Sequence, residues 1–175
     1  MHLPEKFEVL IVTLSDRASR GEYEDLSGPE IREKLSQFFK SLNWSFNIEL
    51  KIIPDDPAEL ENLLFKAHDT YNLIITTGGT GIGPRDITVE TVRPFLNKEI
   101  PGIMEYIRIK YGSVHPAALL SRGVAGTCGK ALIYTLPGSL RAVREYMEEI
   151  LKTLEHTVMM QYGIDTHDNI SKPAD

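Results

Sequence analysis

The sequence has only one cysteine, Cys128, and therefore no disulfide can form within the chain. Because structural disulfides belong to oxidising compartments, we expect a reducing compartment, with the cytoplasm as the default. No stretch approaches the ~20 consecutive apolar residues of a membrane-spanning helix, and residues 1–6 lack the apolar core of a signal peptide. We therefore expect no membrane association.

Basic residues are in the minority, since 19 Lys and Arg stand against 25 Asp and Glu, for a net charge of −6 at pH 7. A protein that binds nucleic acid usually presents a basic face, so the charge argues against a nucleic-acid partner. An anionic small molecule would have to be received by backbone dipoles, a few Lys or Arg side chains, or a metal ion.

The remaining composition, 42% hydrophobic and 25% charged residues, is ordinary for a globular protein. A chain of 175 residues is long enough for one domain with its own core. We assign residues 1–162 to a single domain. The polar residues 163–175, which include Pro173, predict a flexible tail.

Four short apolar segments predict β-strands. Glu8–Leu14, Asn72–Thr76 and Ala131–Leu136 are apolar runs typical of strands that are buried on both faces. The segment from Trp44 to Ile52 alternates apolar and mostly polar residues, which predicts a strand with one wetter face near a sheet edge. Trp44 itself is interpreted as a packing anchor.

Helices are predicted between and after these strands. Ser27–Glu30 has the form of a capping box and predicts a helix that ends at about Leu42. Asp56 and Ser139 stand where N-caps would begin two further helices, and residues 86–122 predict two or three short ones. Buried strands that alternate with amphipathic helices indicate a three-layer α/β/α domain with a mostly parallel sheet.

The loop after the third strand carries four glycines and three threonines within residues 76–86. In a parallel sheet, ligands bind beyond the carboxyl ends of the strands, where such loops gather. Glycines let the backbone approach a ligand and point N–H groups at it, which favours phosphate binding. The loop is neither a Walker A loop nor a Rossmann fingerprint, since Pro84 occupies the place of the last glycine. A plain glycine-rich loop is the alternative.

Two aspartates, Asp55 and Asp86, follow the second and third strands and are expected at the same end of the sheet. A carboxylate beside a phosphate is repelled by roughly 4 kcal/mol at 4 Å for an effective dielectric near 20. An Mg²⁺ ion between them would reverse that sign, because it accepts one or two carboxylates together with phosphate oxygens. The alternative makes Asp55 a turn residue and Asp86 a helix N-cap.

Five ordered blocks of the sequence resemble the molybdopterin adenylyltransferases of molybdenum-cofactor synthesis. They are Leu14-Ser-Asp16, Ile53-Pro-Asp55, Thr77–Gly81 with Pro84–Thr88, Leu120-Ser-Arg122 and Leu136-Pro-Gly138. The resemblance spans about residues 8–160 and implies the molybdopterin-binding fold. It further implies transfer of AMP from ATP to the terminal phosphate of molybdopterin, with release of pyrophosphate and a requirement for Mg²⁺. A homotrimer and hand-over to a molybdate-inserting partner are implied as well.

The resemblance also implies the site residues. The two functionally important aspartates of the family fall on Asp55 and Asp86, as catalytic residues and Mg²⁺ ligands. Contacts to molybdopterin and ATP fall on Ser15, Asp16, Thr77, Gly78, Gly79, Thr80, Gly81, Ser121, Pro137, Gly138 and Ser139. Arg85 and Arg122 are candidate phosphate clamps, with solvated arginines as the alternative.

The sequence departs from the family pattern at two places. Asp56 stands where Glu is usual, and Ser139 follows Pro-Gly where many members carry Asn or Gln. Pro-Gly-Ser also occurs in the related MoaB-type proteins, so a molybdopterin- or nucleotide-binding protein without strong transferase activity is the alternative function, and an assembly domain is a third. The five histidines show no ligand spacing, and no zinc site is expected.

Overall fold

The computed structural model describes residues 2–164, which form six strands and six α-helices. The strands are Phe7–Leu14 (β1), Phe46–Ile53 (β2), Leu73–Thr77 (β3), Lys98–Glu99 (β4), Ala125–Cys128 (β5) and Ala131–Leu136 (β6). The helices are Asp16–Ser19 (α1), Ser27–Ser41 (α2), Pro57–Ala67 (α3), Thr88–Val92 (α4), Pro101–Gly112 (α5) and Leu140–Gln161 (α6). Short 3₁₀ turns occupy Arg93–Phe95 and Pro116–Leu120. None of the described helices is long and apolar enough to cross a membrane.

All six strands form one sheet in the order β2-β1-β3-β6-β5-β4. β2, β1, β3 and β6 are parallel, while β5 and β4 continue the sheet in antiparallel fashion. The predicted α/β class and mostly parallel sheet are confirmed. β4 and β5 were not predicted, because β4 has only two residues and β5 contains Gly126 where a side chain would overlap the carbonyl of Lys98.

The sheet separates two hydrophobic cores, as its alternating side chains require. On β1, Val9 and Ile11 face the core formed with α2, α5 and α6. Leu10 and Val12 face the opposite core, formed with α3 and α4. Burial of each such side chain contributes roughly 1.5–3 kcal/mol, so the strand is fixed in its orientation from both faces. This arrangement is the predicted three-layer architecture.

β2 forms one edge of the sheet, and seven of its eight residues are partly buried or exposed, in agreement with the predicted edge position. Trp44 was predicted to begin this strand, but it lies just before the observed start at Phe46. Its indole stacks on Phe7 with ring centroids 4.7 Å apart and an angle of 12° between the rings. Trp44 therefore closes one end of the first core, which confirms its interpretation as a packing anchor.

Two of the three predicted helix caps are confirmed. The Asp56 carboxylate accepts a hydrogen bond from the Ala58 N–H at 2.8 Å, and the Ser139 hydroxyl accepts one from Ala142 at 3.3 Å. The capping box at Ser27 is wrong, because the carboxylate of Asp25 accepts the N–H groups of Ser27 and Gly28 at 3.0 and 3.1 Å. Ser27 instead donates its hydroxyl to the carbonyl of Gly138 at 3.0 Å.

Candidate functional site

A polar cavity of about 450 Å³ opens at the carboxyl ends of the parallel strands. It brings together nine of the predicted site residues from four different loops: Ser15, Asp16, Asp55, Thr77, Gly78, Gly79, Arg85, Asp86 and Gly138. Parallel strands place their carboxyl ends at the same edge, which explains why residues so distant in sequence meet here. We call this the first cavity.

A second cavity of about 290 Å³ adjoins the first and is the more apolar of the two. Eight predicted site residues line it: Gly79, Thr80, Gly81, Asp86, Ser121, Pro137, Gly138 and Ser139. Gly79, Asp86 and Gly138 line both cavities and therefore form the wall between them. Of the predicted site residues, Arg122 alone lies outside both.

The loops after β1 and β2 are locked together by two aspartates. The Asp55 carboxylate accepts the Asp16 N–H at 3.2 Å, and the Asp16 carboxylate accepts the Asp55 N–H at 3.0 Å. Arg85 reaches across from the glycine loop to Asp16 at 3.0 Å, with its side chain 74% exposed. The Asp55 amide, followed by Arg85, holds the pKa of Asp16 below its usual value, so this carboxylate stays ionised.

Asp86 folds back onto its own loop rather than capping a helix. Its Oδ2 accepts the Gly83 N–H at 2.7 Å, while α4 begins after Ile87 without a side-chain cap. A Cβ at Gly81 would lie 2.7 Å from the Asp86 carboxylate, so a side chain at this position would displace the carboxylate from where it lies. The carboxylate is thereby held at the junction of the two cavities.

The glycine loop depends on backbone angles that favour glycine, with φ values of 105° at Gly78 and 65° at Gly79. The Gly78 N–H donates to the carbonyl of Leu136, and the Thr88 hydroxyl donates to the carbonyl of Gly78 at 2.8 Å. Thr77 donates its hydroxyl to the carbonyl of Pro137 at 2.8 Å. The loop is therefore fixed from both sides before any ligand binds.

Arg122 holds the glycine loop from the side of α4. Its Nε donates to the carbonyl of Gly81 at 2.7 Å, its Nη2 donates to the carbonyl of Asp86 at 3.3 Å, and its guanidinium pairs with Glu90. The Glu90 partner raises the pKa of Arg122 further, so the guanidinium remains charged. With these groups engaged, Arg122 supports the loop, whereas Arg85 lies on the wall of the first cavity.

Several lining residues were missed from the sequence. In the first cavity they include Arg17 and Tyr23, whose guanidinium and ring are 5.4 Å apart, together with Asp25 and Ser27. In the second they include Tyr146 on the first turns of α6. Twelve residues separate β1 from α2, which is longer than the usual loop between a strand and a helix. That extra length was the sequence signal that could have indicated the missed residues of the first cavity.

The carboxylates at this site suit a magnesium ion whose remaining ligands a nucleotide would supply. Within residues 2–164, no group of three or more His, Cys, Asp or Glu side chains is arranged to hold a metal. Asp55 and Asp86 both line the first cavity. Mg²⁺ typically takes one or two protein carboxylates, with phosphate oxygens and water as its other ligands. These two residues therefore fit the protein's share of such a site.

A mostly parallel sheet with a glycine-rich loop, carboxylates and two adjoining cavities at its carboxyl edge defines a small-molecule-binding α/β protein. The family described as probable molybdopterin binding domain matches residues 10–156, and the chain belongs to this family. This confirms the family to which the five sequence blocks point.

Individual relatives agree with the family match. A molybdopterin adenylyltransferase of Helicobacter pylori is 39% identical over 155 residues, which cover 87% of this chain and 86% of the relative. Gephyrin of Dictyostelium discoideum is 38% identical over 161 residues, and the match covers 88% of this chain but only 22% of gephyrin. The crystal structure of the molybdopterin biosynthesis enzyme MoaB from Thermus thermophilus superposes with a TM-score of 0.80 at 39% identity, covering 90% of this chain and 97% of that one.

Proposed function

We propose that the chain is a molybdopterin adenylyltransferase. An oxygen of the terminal phosphate of molybdopterin attacks the α-phosphorus of ATP and forms a new phosphorus–oxygen bond. The bond between the α-phosphorus and the bridging oxygen breaks, and pyrophosphate leaves with the electron pair. A phosphate monoester carries nearly its full charge at neutral pH, with a second pKa near 6, so the reaction needs no Ser, Cys or His nucleophile.

The observation that carries this proposal is the pair of cavities with a common wall. A transfer between two phosphates requires both ligands to present their reacting ends at one point. Such positioning of two reactants can lower the activation barrier by about 7–11 kcal/mol. Gly79, Asp86 and Gly138 line both cavities, so ligands in each would approach one another there. Relatives named molybdopterin adenylyltransferase match over nearly their whole length, which supports the same reaction.

The residues around this wall have distinct roles in the proposed reaction. Backbone N–H groups of the glycine loop and the Arg85 guanidinium would receive phosphate oxygens, while Asp55 and Asp86 would hold Mg²⁺. A magnesium ion held by these two carboxylates would supply positive charge that stabilises the transferring phosphates. Asp16 stays ionised and paired with Arg85, so it orients the guanidinium rather than reacting.

The remaining expectations stand as proposals with the function. We infer a single domain over residues 1–162, a homotrimeric assembly, a cytoplasmic location and hand-over of the product to a molybdate-inserting protein. A tail over residues 163–175 lies almost wholly outside the described residues. Size measurement in solution tests the trimer directly.

A second candidate function is that of a MoaB-like protein that binds molybdopterin or a nucleotide without strong transfer. Two observations favour it: Ser139 follows Pro-Gly at the second cavity, and a solved structure 39% identical carries the name MoaB. The two functions share the cavities and differ only in whether AMP is transferred.

Formation of adenylylated molybdopterin from molybdopterin, ATP and Mg²⁺ distinguishes the two functions. We expect product from the wild-type protein and a loss of at least about 100-fold in Asp86→Asn, since a preorganised charge at a phosphoryl-transfer site is worth that much or more. Asp56→Asn is the matched control, because Asn retains the cap at that position and Asp56 lines neither cavity. Tight binding of molybdopterin without transfer would favour the MoaB-like function, and full turnover by Asp86→Asn would remove the catalytic assignment.

A further inference from the structure

Three side-chain polar atoms in the described part of the chain are buried without a hydrogen-bond partner: Thr76 Oγ1, Tyr134 Oη and Tyr146 Oη. A buried hydroxyl without a partner is destabilising, and such groups concentrate where function requires them. Tyr134 is fully buried within the sheet core and lines neither the first nor the second cavity. Tyr146 is 2% exposed and forms part of the wall of the second cavity.

The groups around the Tyr146 hydroxyl are polar, and one of them, Ser121, lines the second cavity. Burial raises the pKa of Tyr146, while Ser121 and Arg108 nearby act in the opposite direction. Arg108 is already occupied, since its Nη1 donates to the carbonyl of Gly123 at 3.2 Å and lies 3.5 Å from that of Ser121. Ser121 has spare capacity, because its contact with Thr80 Oγ1 is long, at 3.4 Å, and its side chain also lies close enough to Tyr146 to affect the pKa of that hydroxyl.

These observations fit a hydroxyl relay. A serine hydroxyl can accept hydrogen bonds through two lone pairs while it donates its single proton. When Ser121 donates to a ligand in the second cavity, its oxygen can therefore still accept a hydrogen bond from a second hydroxyl. Tyr146 Oη is the buried hydroxyl beside it that makes no hydrogen bond of good geometry, and its burial keeps water from competing.

We propose that Tyr146 is a positioning residue that donates a hydrogen bond to Ser121 Oγ when Ser121 donates to the ligand in the second cavity. The proposal rests on the proposed function only in taking that ligand to be molybdopterin or ATP.

Removing only the hydroxyl gives a signature that a structural role would not give. Tyr146→Phe is expected to leave the melting temperature unchanged or raise it by up to about 4 °C, because the substitution removes an unpartnered buried polar atom. The same variant is expected to raise the Kd of one of the two ligands about three- to tenfold, the value of one neutral hydrogen bond. Tyr134→Phe is the matched control, with the same stability effect and unchanged binding.

Calorimetric titration of molybdopterin and of ATP into the wild type, Tyr146→Phe, Ser121→Ala and the double variant tests the relay. If Tyr146 acts through Ser121, Tyr146→Phe has no further effect on Kd in the Ser121→Ala background. Three results would overturn the relay. The first is an equal loss of ligand affinity from Tyr146→Phe in the wild-type and Ser121→Ala backgrounds. The others are an unchanged Kd in Tyr146→Phe and a fall in its melting temperature of more than about 4 °C. A wild-type protein that binds neither ligand would overturn the proposed function and the relay with it, whereas wild-type binding with unaltered Tyr146→Phe removes the relay alone.

Discussion

Substitution of Gly78 by alanine tests how tightly the glycine loop is packed between β1 and β6. At φ 105° a side chain is strained, which costs about 1–2 kcal/mol. An added Cβ would also overlap the carbonyl oxygen of Leu14, at the end of β1, and overpacking against backbone costs about 1–3 kcal/mol more. We therefore expect Gly78→Ala to lower the free energy of unfolding by about 2–5 kcal/mol, a large part of the ~5–15 kcal/mol of a typical domain.

Gly21→Ala is the matched control, because it separates backbone strain from overlap. Gly21 also has a positive φ, 72°, but nothing lies within 4 Å of an added Cβ. Both variants gain the same stability from a less flexible unfolded chain. Urea denaturation followed by circular dichroism should give a loss of about 1–2 kcal/mol for Gly21→Ala and clearly more for Gly78→Ala. If the two losses agree within about 0.5 kcal/mol, the close approach of the loop to β1 is refuted.

Two further changes test the cap and the buried carboxylate. Asp25→Ala should lower the free energy of unfolding, measured by urea denaturation, by about 1–2 kcal/mol, because Asp25 accepts both N–H groups at the start of α2. Ser27→Ala should lower it less. A larger loss in Ser27→Ala than in Asp25→Ala would show that Ser27 is the cap. Although burial opposes it, hydrogen bonds from Lys110 and Lys152 hold the pKa of Glu149 below its usual value. The carboxylate therefore stabilises the fold above the unfolded-state pKa of about 4.3, and this contribution is lost as pH falls through the folded pKa. Melting temperatures of Glu149→Gln should accordingly depend less on pH below about pH 5 than those of the wild type, and identical profiles would contradict the assignment.

The fold was largely predictable because its strongest signals are local. A strand buried on both faces must be apolar at nearly every position, and β1, β3 and β6 are. β5 was not predicted, because its four residues include Gly126 and leave too little apolar sequence to indicate a strand. The cap of α2 was misassigned for a related reason. Asp25 and Ser27 are both good caps by residue type, and only the contact between Ser27 and Gly138, 111 residues apart, decides between them.

The sequence predicted which loops form the site, but it did not predict which of their side chains face inward. Loops after parallel strands meet at one edge whatever their sequence, so the shared location of Asp55 and Asp86 follows from topology. Which side chains face inward depends on packing that no local pattern encodes. In the sequence, Tyr146 looks like one more apolar position of an amphipathic helix. Arg122 looks like a free cation, although in the structure it donates hydrogen bonds to backbone carbonyls and to Glu90. Tertiary contacts, rather than residue type, assign both of these roles.

The wall between the two cavities shows why glycine stands at two positions far apart in sequence. A Cβ on Gly138 would lie 3.3 Å from the Cα of Gly78, so the two backbones meet with no side chain between them. A side chain at Gly138 would crowd the place where the two cavities adjoin. Because reacting atoms must approach within about 3–3.5 Å for transfer, the two ligands would have to meet beside this bare backbone rather than across it. The same argument explains why Asp86 is held by the loop itself: a carboxylate at the junction serves both cavities only if the loop that forms their common wall also fixes its position.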